Sequence, residues 1–166
     1  MAPAYVTRAA GLMAASGGAL RVVGAFVADA PAQILARLYF VTDVCFVFGL
    51  FGLYAVRASR VGALGLVGFA VAVAGFLAIR SAQALHLPYE AGAALALFGT
   101  AVFGASLVRA REGAVAAPTL WALAALGGVA SAVTAAPAAS LFAGVCFGLG
   151  YIVAGIAIWR AAGAAG

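Results

Sequence analysis

The chain has 166 residues, 67% of them hydrophobic and 8% charged, with a formal net charge of +5. A soluble domain carries about 25% charged residues, so this composition excludes an ordinary water-soluble fold. All nine basic residues are Arg, standing singly or in pairs near apolar-run ends; a nucleic-acid partner would need them on one face or stripe, and none is expected.

The apolar runs predict an all-α integral membrane protein: six transmembrane helices at about 9–28, 33–56, 61–79, 88–108, 118–136 and 138–159, in one bundle over residues 1–166. Residues 113 to 159 contain no Asp, Glu, Lys or Arg. At about 20 apolar residues per pass, that stretch alone supplies two helices.

The first helix carries Arg21, with Gly17, Gly18, Gly24 and Ala25 on the same face at three- and four-residue spacing. Small faces let helix backbones approach closely in lipid, so this face is expected to pack. An Arg at the bilayer centre costs about 2.5–3.5 kcal/mol on insertion scales. Two placements are open: pairing inside the bundle, or reaching up to the outer headgroups. Arg8, the run 9–20 and Ala28-Asp29-Ala30 have the order of a secretory signal. Arg21 interrupts that run, however, and the segment is read as a retained helix.

The second helix holds Asp43 among Tyr39, Phe40, Phe46 and Val47, and Asp43 is the natural partner for Arg21. An intramembrane acid marks a functional site by default, whereas a closed ion pair serves structure. Asp29 and Arg37 flank the first outer turn. Arg80, Gln83, His86 and Glu90 form a second polar group at the next one, with His86 and Glu90 four residues apart. A solvated loop is the plainer reading of that group. Arg21, Arg37, Asp43, Arg80, His86 and Glu90 are therefore the candidate substrate- or ion-binding residues.

The last two helices offer packing signals: Gly144-x3-Gly148, Gly127-x3-Ser131 and Gly150-x3-Ala154. Such faces suit contact with another membrane subunit or with a second copy. Thr42, Thr100 and Thr134 are expected to bond back to helix carbonyls. Cys45 and Cys146 fall inside predicted spans and read as free thiols. One His and two distant Cys make no metal site, and no cofactor is implied.

Pro31, Pro88 and Pro137 fall at the turns within hairpins. Arg8, Arg57, Arg60, Arg109, Arg111 and Arg160 all lie on one side of the six-helix arrangement, with Tyr54, Trp121 and Trp159 near the same interface. The positive-inside rule makes that side, and both termini, cytoplasmic in a bacterial inner membrane. The phrase Gly-x4-Arg-Ala recurs at Gly52, Gly104 and Gly155, at spacings of 52 and 51 residues. It predicts three hairpin repeats, 8–59, 60–110 and 111–161, of one topology.

No P-loop, His-Glu-x-x-His or Gly-x-Ser-x-Gly sequence occurs. The short loops and small-residue faces lead us to expect an accessory or assembly subunit packing against other membrane proteins. The alternative is a small transporter or channel using Arg21 and Asp43; an enzyme is the weakest expectation.

Overall fold

The computed structural model describes residues 4–27, 29–85, 88–110 and 115–163, with backbone alone at 82–85. Its helices are α1 (Ala4–Phe26), α2 (Ala32–Leu85), α3 (Tyr89–Arg109), α4 (Ala116–Thr134) and α5 (Pro137–Gly163). All five are long and apolar enough to cross a membrane, which marks a membrane protein. Pro31, Pro88 and Pro137 stand at the starts of α2, α3 and α5.

Five helices replace the six that the sequence predicts. The break expected at 57–60 is not there: those residues are helical, and helix runs from Ala32 to Leu85 with only Gly62 leaving helical backbone, at φ 60 and ψ −162. Nothing from Val56 to Val61 breaks a helix, and Arg and Ala favour one. The backbone conformation at Gly62 is essentially restricted to glycine, and it reverses the chain. Asp43 meets Arg80, Phe46 lies 5.7 Å from Phe76 between ring centres, and Tyr54 stacks on Phe69 at 4.5 Å. α2 is therefore folded into two antiparallel arms, 32–61 and 63–85. At 1.5 Å per residue these arms are about 45 and 35 Å long.

The first arm packs on α1 and the second on α3; α3 meets α4, α4 meets α5, and α5 returns to α1, closing a ring. The α1–α5 seam is built on glycines in reciprocal positions. A Cβ on Gly11 would come within 2.8 Å of the Gly155 carbonyl oxygen, and one on Gly148 within 2.6 Å of the Gly18 carbonyl oxygen. These antiparallel pairs, seven residues apart on each helix, bring the two backbones into direct contact. The guanidinium of Arg8 lies near Gly163, so α1 begins and α5 ends at one end of the bundle.

Aromatic side chains fill the ring. Phe46 packs on Tyr151 at 4.1 Å and edge-on to Phe147 at 5.3 Å, while Trp121 lies 5.3 Å from Tyr151. Trp121, expected at an interface, is fully buried against Tyr151 and Gly150; it packs the bundle instead of facing headgroups. Thr42, Thr100 and Thr134 donate to the carbonyls of Leu38, Ala96 and Ala130 at 2.7–2.8 Å, satisfying their hydroxyls within the helix. Phe48, Leu66, Val67, Phe98 and Leu126 stand exposed on the outside, a surface that lipid, not water, would solvate.

Candidate functional site

Away from the Gly62 end, Asp43, Arg80, Arg21 and Tyr39 come together where α1 and both arms of α2 meet, near the start of α3. Asp43 is central. Its Oδ2 accepts from Arg80 Nη2 in a direct ion pair, with Asp43 13% and Arg80 33% exposed. The fold-back at Gly62 creates this pair, since 43 and 80 lie nearly the same distance from the elbow. Phe40 supports Arg80, its ring centre 5.9 Å from the guanidinium carbon.

Arg21 approaches from α1. Its guanidinium carbon lies 5.3 Å from the Tyr39 ring centre, a cation–π placement. The Tyr39 hydroxyl in turn donates to the Gly24 carbonyl at 3.1 Å, tying α2 to α1. On the α5 side, Arg21 passes over Gly144, where a Cβ would come 3.1 Å from its Nη2. Arg21 is thus wedged between α2 and α5, close enough to Asp43 to act on it electrostatically. The ion pair nevertheless goes to Arg80, not to Arg21. Tyr89, exposed at the start of α3, lies within the field of Arg21, Asp43 and Arg80. The cluster holds two guanidinium groups against one carboxylate.

Arg37 and Glu90 occupy exposed positions near the starts of α2 and α3, at this same end. His86 lies outside the described residues, as does the Gln83 side chain. The small residues of α1 divide between two neighbours. Gly18 meets Gly148 and Ile152 of α5, whereas Gly17 meets Cys45 and Phe46, and Gly24 meets Tyr39, all on α2.

Sequence reasoning did not reach the Arg80–Asp43 pair, because a turn at 57–60 sets Arg80 beyond its helix. Centring the hairpin on Gly62 would have levelled the two residues. Phe46 and Phe76 lie three and four residues from Asp43 and Arg80, toward the elbow, so the aromatic layer begins one helical turn, about 5 Å, below the ion pair. Chemically, the cluster can lock three helical segments together or attract an anion. Cys45 and Cys146 are buried free thiols. Among the described residues, no three His, Cys, Asp or Glu side chains gather as metal ligands. Comparison with protein-family models, curated proteins and solved structures finds no match to this chain.

Proposed function

We propose that this is a bacterial inner-membrane protein that serves as an accessory or assembly subunit, packing its apolar exterior against other membrane proteins. The observation that carries this reading is the filled interior. Phe46, Phe76, Phe147, Tyr151 and Trp121 occupy the centre of the ring, and Asp43 is already neutralised by Arg80. The one intramembrane carboxylate is spent on holding the bundle together, which favours the outer surface as the working part.

In this reading both arms of α2 cross the bilayer, giving an even number of passes. Arg8, Arg57, Arg60, Arg109, Arg111 and Arg160 then face the cytoplasm with both termini. The three hairpins 8–59, 60–110 and 111–161 share one orientation, in keeping with a threefold repeat. Deleting the gene should lower the abundance of a specific membrane partner, and restoring the chain should rescue it. Unchanged abundance of every membrane protein on deletion removes the proposal.

A second reading, a small transporter, is favoured by one observation. Arg21 rests on an aromatic ring while Asp43 pairs with Arg80, so the cluster retains net positive charge suited to an anion. Arg21→Gln should then abolish flux in a folded protein. Normal flux in that variant ends the assignment.

A further inference from the structure

Within the Asp43 cluster, the carboxylate goes to Arg80. Among the described residues, Arg21 instead contacts the Tyr39 ring, 5.3 Å from its guanidinium carbon, and the bare Gly144 position of α5. A guanidinium carries five N–H donors in a fixed fork, and an aromatic ring offers them no carboxylate or carbonyl lone pair. Arg21 is half-buried, five residues before the end of α1 at Phe26, which is about 7.5 Å along the helix axis. Deeper in the bundle, Phe46, Phe147 and Tyr151 pack the interior closed. Phe40 and Tyr89, which border the cluster, are exposed. Asp29 and Glu90, the other acids described at this end, are exposed as well, where solvent and salt screen their charge.

We propose that Arg21 binds a single carboxylate group carried on an apolar body. The inference rests on the anion chemistry of the transporter reading, but it requires binding alone. Two guanidinium groups face one carboxylate in the cluster, so one further negative charge brings it to neutrality, and a buried charge is costly until it is paired. The planar fork of Arg matches the two oxygens of a carboxylate. The aromatic layer stops the ligand from passing deeper, so its carboxylate stays at the level of Arg21. Exposed Phe40 and Tyr89 offer aromatic surface to the rest of the molecule. A water-soluble acid and a fatty acid from the bilayer present the same carboxylate.

The test is equilibrium dialysis of radiolabelled benzoate against the full chain in phosphatidylcholine nanodiscs, with empty nanodiscs as the blank and benzamide or dodecanoate as competitor. Benzoate should bind at one per chain, and benzamide, of the same shape without the charge, should not displace it. Dodecanoate displacing benzoate at lower concentration than benzoate itself identifies a lipid-derived acid; weaker displacement identifies a soluble one; either supports the site. Arg21→Gln should weaken binding about tenfold or more, the value of a charge-assisted bond. Arg21→Lys, which keeps the charge and loses the fork, should lose less. Arg160→Gln, at the opposite end of the bundle, should leave binding unchanged. The proposal is overturned if neither acid binds, if benzamide competes as well as benzoate, if both Arg21 variants bind like the parent, or if Arg160→Gln loses as much as Arg21→Gln. Benzoate binding without flux keeps this site and ends the transporter reading. Arg21-dependent flux of another anion, with neither acid bound, ends the carboxylate site and keeps the transporter.

Discussion

Gly18→Ala probes the seam that closes the ring. An added Cβ would meet the Gly148 carbonyl oxygen and lie 2.8 Å from both Ile152 N and Ile152 Cγ1. Two of these three obstacles are backbone and cannot swing aside. Non-bonded carbons prefer about 3.5–4.0 Å, so α1 and α5 must part by nearly 1 Å. A gap of that size forfeits a quarter to a half of the dispersion energy of the atoms facing it, and overpacking costs about 1–3 kcal/mol. Alanine recovers about 1 kcal/mol of helix propensity, leaving a net loss of up to about 2 kcal/mol. Gly128→Ala is the matched control. Its Cβ meets only the Leu97 Cδ1 atom, at 2.9 Å, a flexible side-chain end, so its effect should stay within about 0.5 kcal/mol or be stabilising. Reversible unfolding by increasing SDS fraction in mixed micelles, followed by the fluorescence of buried Trp121, measures both. The Gly18→Ala/Gly148→Ala double variant should lose less than the sum, because helices already parted admit the second methyl cheaply. A Gly18→Ala variant as stable as Gly128→Ala refutes the close-packed seam.

The same unfolding assay tests other features. Gly62→Ala should cost about 1–3 kcal/mol although its side chain has open space, because the backbone conformation is glycine's; a neutral result contradicts the fold-back. Arg80→Ala strands the Asp43 carboxylate and should cost about 1–3 kcal/mol, below the fully buried value because Arg80 is a third exposed. Adding Asp43→Leu should recover most of that loss, and no recovery argues against the pair. Tyr151→Phe should stay within about 1 kcal/mol of the parent, since among the described residues the buried hydroxyl has Thr100 beside it but makes no well-formed hydrogen bond; a large loss would reveal one. In sealed right-side-out vesicles, a membrane-impermeant thiol reagent should label Pro31→Cys and spare Ala110→Cys, with the buried Cys45 and Cys146 giving little background. The reverse pattern inverts the topology.

Composition and apolar run length made the helical membrane bundle legible, because lipid allows so few backbone solutions. The helix count was not. Arg57 and Arg60 look like loop residues by charge, yet they are good helix formers, and no local signal distinguished Gly62 from the chain's 21 other glycines. That single misplaced turn also hid the Arg80–Asp43 pair. Arg21 and Asp43 stood out as rare charges, but which arginine reaches Asp43 depends on the elbow position and on Tyr39 occupying Arg21. The glycines of α1 were legible as one small face; that they serve two different neighbours is set by ring closure through α5, a long-range contact that spacing within α1 cannot encode.

The measurement that bears most directly on the account is the mass of the intact particle extracted from its native membrane in mild detergent. A subunit that works through its outer surface should appear with foreign subunits at a fixed stoichiometry, and those partners should fall in abundance when the chain is deleted. A stable monomer or homo-oligomer, with membrane-protein levels unchanged by deletion, contradicts the account and points to flux through the Arg21 and Asp43 cluster.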